Sequence, residues 1–154
     1  MKKQILNLFE SSSGRRFIFE AEMDNVRKVI VKDFCQFCKS KLGINEMPSI
    51  KLVARKTDGM STGSYVPTMN RVNVLVAHRA LLDVLRSIAH ELVHRLQDET
   101  GSLKDIGPQG NRGESDKSDI GTWFEDEAHA KGGALIKEFS RTYNRIPSNT
   151  LYEL

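Results

Sequence analysis

The stretch HELVH, residues 90–94, followed at once by RLQDET (95–100), decides how this 154-residue chain is read. From about residue 79 to residue 97 the apolar positions recur every three or four residues. Leu81, Leu85, Ile88, Leu92 and Leu96 form one stripe, widened by Leu82, Ala89 and Val93. That period is helical, so His90 and His94, four apart, lie on one face a single turn from each other. On a wheel of about 100° per residue the two imidazoles point nearly opposite the leucine stripe. Ala89 and Val93 flank them with apolar surface, which predicts a further element packed over the histidine side.

Two imidazoles held on one rigid helix supply half of a tetrahedral zinc site, with bonds of about 2.0–2.1 Å. Glu91, directly after the first histidine, projects beside the same face, where a carboxylate can take a proton from water acidified by the metal. The bland alternative is a pair of solvated histidines on a helix, because HExxH fixes only three of five positions.

A third ligand is expected from GTWFEDEAHAKGGALIKEF (121–139), read as a helix from about residue 122 to 143. Glu125 and Glu127 lie about 200° apart around it, so only one faces inward. The face through Glu125 carries Ala128, His129, Gly132, Ile136 and Phe139. The face through Glu127 carries Ala130, Lys131, Ala134 and Glu138 and reads as solvated. Small residues at 128 and 132 allow a close approach to the HELVH helix, so Glu125 is the preferred ligand. Thr122 and Glu125 also fit a capping box, which gives Glu125 a competing duty. His129, one turn on, reads as a support for a ligand, a polariser of a substrate oxygen, or a ligand itself. Asp98, one turn after His94, reads either as an acceptor for a ligand's second ring N–H or as an ordinary helix-end charge.

Working outward, NVRKVIVKDFCQFCKSKLG lies within a helix read over residues 20–44. Its face is Val26, Val29, Ile30, Phe34, Phe37, Cys38 and Leu42, and Gly43 stops it. SIKLVAR (49–55) reads as a short strand. In SYVPTMNRVNVLVAH (64–78) Val72, Val74 and Val76 alternate along one face, while Pro67 confines the first part to a sheet edge or turn. Residues 101–121 are polar, glycine-rich and aperiodic, a length of loop that is uncommon in a compact domain. The expected fold class is α+β: an N-terminal helix, a small antiparallel or mixed sheet with a hairpin, the HExxH helix, a long loop and a C-terminal ligand helix. Residues 1–20 read as an arm and 21–154 as one domain.

Composition narrows the function classes. Hydrophobic residues make up 39% and charged residues 28%, ordinary for a soluble globular chain. The net charge of +3 is dispersed, whereas a phosphate track needs a concentrated patch. A nucleic-acid role therefore rests only on that charge and on scattered groups such as SGRR and VRK. Cys35 and Cys38 form a CxxC pair with no second pair to complete a zinc site. They read as buried thiols in a reducing, cytoplasmic setting. The first 19 residues make a poor signal peptide, and no stretch approaches the roughly 18–20 apolar residues that span a bilayer.

HELVH with a downstream E-x-x-A, Glu125 to Ala128, resembles the gluzincin metallopeptidases, and HELVHRLQD is locally similar to the thermolysin-type active-site helix. The hairpin GSYVPTMNRVNVLV ahead of it is closer to the minimal single-domain members, the ImmA/IrrE-type peptidases and phage-encoded relatives. The resemblance covers about residues 50–140. It departs from that group at His129, where Asp or Asn is usual. It implies a zincin-like fold, Zn²⁺ on His90, His94 and Glu125, and water in the fourth position. It further implies that Glu91 acts as general base in peptide-bond hydrolysis, with a protein or peptide substrate. His129, Tyr65 and Tyr143 are then candidate donors to the oxyanion. The extended segment 64–70 would be an edge to which an unfolded substrate adds as a strand. The competing expectations are a catalytically silent regulatory or structural protein that keeps this fold, with residues 101–121 blocking the cleft, and a member of a phage, virion-associated or nucleic-acid-associated assembly, docked through the N-terminal arm.

Overall fold

A computed structural model describes residues 17–56, 61–102, 123–143 and 150–152. Most of the long polar loop and the first sixteen residues of the expected arm lie outside them.

The last residues of that arm are not loose. Phe17–Phe19 form β1, which pairs in parallel with β2, Ser49–Val53. Two lysines of the following helix hold it down: Lys28 Nζ lies 5.0 Å from the Phe19 ring centre, and Lys32 Nζ lies 5.8 Å from Phe17 and 5.7 Å from Phe19. Cation–π attraction and the apolar lysine stems together explain why a three-residue strand stays in place.

Helix α1 spans Asn25–Leu42. Asp24 caps it by accepting the Arg27 backbone N–H at 2.8 Å, so it starts later than residue 20, the start expected from the sequence. Gly43 ends it at φ 73°, a left-handed backbone that favours glycine. The buried face is Ile30, Val31, Phe34, Cys35 and Cys38, while Val26 and Val29 are exposed at 55% and 47%. The expected stripe was therefore out of phase at its first turn.

The chain then crosses β2, β3 (Gly63–Val66), a 3₁₀ turn over Pro67–Met69, and β4 (Arg71–Leu75). Asn70, at φ 46°, closes the turn, so β3 and β4 make the expected hairpin. The sheet order is β1-β2-β4-β3, with β2 and β4 parallel and β3 antiparallel at one edge. Val72 and Val74 point into the core; Val76 is half-buried beyond the strand.

Helix α2, Leu81–Glu99, and helix α3, Trp123–Thr142, pack closely on each other, and the N-terminal half of α2 adds Leu81, Val84, Leu85 and Ile88 to the core. The architecture is α+β, three helices on a four-stranded mixed sheet among the described residues. No helix among them is long and apolar enough to cross a membrane.

Candidate metal centre

The predicted covering element is α3. Its Gly132 lies where a Cβ would stand 3.3 Å from the His90 backbone nitrogen and 3.5 Å from its Cα. A side chain there would have to push the helices apart by a few tenths of an ångström, so glycine suits this close approach. Ala128, Gly132, Ile136 and Phe139 form the buried side of α3, as the spacing suggests, and Leu135 joins them. The approach carries Glu125 over the histidine face of α2.

His90 Nε2 lies 2.9 Å from Glu125 Oε1, and His94 Nε2 lies 3.3 Å from the same oxygen. Ligand atoms about 2.0–2.1 Å from a tetrahedral zinc stand about 3.3 Å apart, which is close to the separation of Glu125 Oε1 from each imidazole nitrogen. Glu127 is turned away, accepting from Gln97 Nε2 at 2.8 Å and pairing with Lys131 at 3.4 Å. Glu125 thus faces the imidazoles; Thr122, the other half of the capping box, lies outside the described residues.

A second donor set overlaps the first. His90, Glu125 and His129 offer atoms all within 4.8 Å of one another, and the His129 ring centre is 4.5 Å from that of His90. His129 is exposed, contrary to its placement on the inward face of α3. His94 differs from His129 in being buried, and its Nε2 stands 3.3 Å from Glu125 Oε1.

Charge is concentrated here. Burial would raise the Glu125 carboxyl, but hydrogen bonds to His90 and His94 and their nearby charge outweigh it and hold the group well below the usual carboxylate range. His94 is pushed down by burial and, more strongly, up by Glu125, Glu91 and Gln97. Glu91 is 8% exposed, and burial raises its carboxyl against the opposing pull of His94 and His90. A Cβ on Gly63 of β3 would lie 3.2 Å from Glu91 Oε2, so the edge strand runs directly beside that carboxylate.

The remaining sequence candidates are placed differently. Asp98 does not support a ring: it accepts from the Tyr65 hydroxyl at 2.7 Å and pairs with Arg95 at 3.7 Å. Tyr65 is thereby engaged, and burial together with Asp98 pushes its hydroxyl up to about 12. Tyr143 bonds Asp33 of α1 and stacks on Phe139. The residue facing the inner nitrogen of His94 is Gln97, whose Oε1 lies 2.8 Å from Nδ1. Sequence reasoning passed over it, although a position three after His94 shares its helical face. Comparison of the chain with protein-family models, with curated proteins and with solved structures found no match.

Proposed function

We propose that the chain is a zinc-dependent metalloendopeptidase with a zincin-like arrangement of its α+β fold. The observation that carries this reading is the convergence of His90 Nε2 and His94 Nε2 on Glu125 Oε1, at 2.9 and 3.3 Å, beside a buried Glu91. His90, His94 and Glu125 would hold the ion. Zinc bound there supplies a Lewis acid that acidifies water and polarises a carbonyl.

The chain's own residues account for the rest. Glu91 accepts the proton of the attacking water and passes it to the leaving amine, which matches its place next to the ligands on α2. β3 is hydrogen-bonded to β4 on one side and stands at the sheet edge on the other. An extended peptide adding to Gly63–Val66 would run past Glu91, held by its backbone and with little side-chain preference. Of the three expected oxyanion donors, Tyr65 and Tyr143 are committed to Asp98 and Asp33. His129, exposed next to His90, is the one assigned that contact here.

Metal analysis by native mass spectrometry tests the first step: about one zinc per chain in the wild type, lost in His94→Ala. Cleavage of an unfolded protein substrate tests the second, with turnover expected in the wild type and abolished in zinc-loaded Glu91→Gln. Wild-type protein without metal at saturating zinc removes the proposal. Zinc-loaded wild type indistinguishable from Glu91→Gln on such substrates leaves a silent scaffold.

A further inference from the structure

Gln97 is 2% exposed and makes three polar contacts at the junction of α2 and α3. Its Nε2 donates to the Phe124 carbonyl at 3.0 Å and to Glu127 Oε1 at 2.8 Å, and its Oε1 faces His94 Nδ1 at 2.8 Å. A backbone carbonyl can only accept, and so can an ionised carboxylate. Both acceptors lie on α3, so the amide must present its NH₂ group to that helix. Its oxygen is then the atom left for His94, and an oxygen there requires a proton on Nδ1. Turning the amide over would set oxygen against oxygen twice and leave a buried carbonyl without a donor, which costs about 1–3 kcal/mol for each such group.

With Nδ1 protonated, a neutral His94 has a bare Nε2, aimed at the carboxylate of Glu125. Two acceptors 3.3 Å apart need a cation between them. We infer that Gln97 is a positioning residue for His94: the two acceptors at the start of α3 orient its amide, the amide places the His94 ring proton on Nδ1, and Nε2 is thereby reserved for an exchangeable cation. The choice of tautomer on one ligand helix is thus dictated by the docking of the other. The consequence for zinc rests on the metal-centre proposal above, whereas the position of the ring proton does not.

Long-range ¹H–¹⁵N spectra of metal-free, histidine-labelled protein, recorded at a pH alkaline enough to neutralise the imidazoles, read which nitrogen of His94 carries the proton. Nδ1–H is expected in the wild type. Gln97→Leu should lose that preference and bind zinc about 10–100-fold more weakly in competition with a chelating dye. Gln97→Glu keeps an acceptor for Nδ1–H while losing both donations to α3, so it should retain the tautomer and bind zinc more tightly than Gln97→Leu. A residue that only held the helices together would be damaged by both substitutions alike. Nε2–H at His94 in the wild type overturns the inference without any variant having to fold. So does folded Gln97→Leu that keeps both Nδ1–H and wild-type zinc affinity. Nδ1–H in a wild type that takes up no zinc removes the metal reading and leaves the role of Gln97 in the tautomer intact.

Discussion

Gly63 has no side chain where one would press on Glu91. A Cβ there would lie 3.2 Å from Oε2 and 3.3 Å from Cγ of that glutamate, closer than ordinary carbon contacts allow. The strand backbone at Gly63 is not left-handed, so alanine is tolerated by the main chain. The carboxyl group, at the end of a flexible side chain, is what must give. Gly63→Ala should therefore keep wild-type zinc stoichiometry and melt within about 1 kcal/mol of the parent. Its kcat should fall by roughly tenfold, because small misplacements of a base are costly. Activity equal to wild type would mean that Glu91 does not act from the place where it is packed. The two glutamates of α3 give a second comparison. Glu125→Ala should abolish tight zinc binding, while Glu127→Ala should weaken it by less than about tenfold, since the Phe124 carbonyl still orients Gln97. Isothermal titration with zinc reads both, and equal losses would contradict the choice of Glu125.

At the scale of the elements, α2 and α3 meet over Gly132, and the neighbouring glycine provides the control. A Cβ on Gly133 meets nothing within 4 Å. Gly133→Ala should stabilise the metal-free chain by about 0.5–1 kcal/mol through helix propensity alone. Gly132→Ala gains the same propensity but drives a methyl into the backbone of His90, an overpacking cost of about 1–3 kcal/mol. It should show no gain, and it should also weaken zinc binding, because Glu125 is moved off the imidazoles. Thermal denaturation of the pair decides it: two equal upward shifts would mean that the helices are not in close contact. This junction was legible in the sequence to a useful depth. The spacing of Ala128 and Gly132 marked a face that admits close approach, and the two-residue offset of Glu125 and Glu127 left only one carboxylate for the histidines. The start of α1 was not legible in the same way. Spacings of three and four describe a helix but do not fix its phase, and Val26 and Val29 fitted the pattern as well as Val31 and Cys35, which are the ones buried. β1 was missed because three residues hold no alternation to read, and its hold depends on lysines that come nine or more positions later. Gln97 was missed because glutamine carries no motif: its contribution lies in which way an amide faces, and only its partners decide that. The thiols of α1 are buried, and desolvation pushes both of them up, Cys38 further under the influence of Cys35. That environment agrees with reading the CxxC pair as buried, packed thiols.

The molecule as a whole is tied together by a polar network at the far end of α2. Glu99 accepts the backbone N–H groups of Asn45 and Glu46, both at 2.8 Å, and receives Arg95 at 3.1 Å. Arg95 also donates to the Glu46 carbonyl at 3.0 Å and to the Tyr65 hydroxyl at 3.1 Å. The turn between α1 and β2, the edge strand β3 and the last turn of α2 are thereby fixed to one another, which sets the depth of β3 beside Glu91. A negative charge at a helix C-terminus opposes the helix dipole, so Glu99 is tolerated there because of these donors. Burial acts to raise its carboxyl, but the two backbone N–H groups and Arg95 outweigh that and bring it below its ordinary value of 4.5. A carboxylate lowered on folding contributes stability that is fully present above its unfolded value and is lost as pH falls through the folded one. In metal-free protein, Glu99→Gln should therefore unfold at lower urea than wild type at pH 7, by about 1–3 kcal/mol for hydrogen bonds to a charged acceptor. The gap should narrow as the pH falls below the ordinary value of 4.5 and close once the wild-type carboxyl is itself protonated in the folded state. With any metal removed by a chelator, the titration of the histidine–glutamate cluster is common to both proteins, so the difference between the two stability curves isolates Glu99. A gap that stays constant or widens on acidification would show that the charge of Glu99 does not anchor β3 and the α1–β2 turn to α2, and that the register of the candidate substrate edge is held by packing alone.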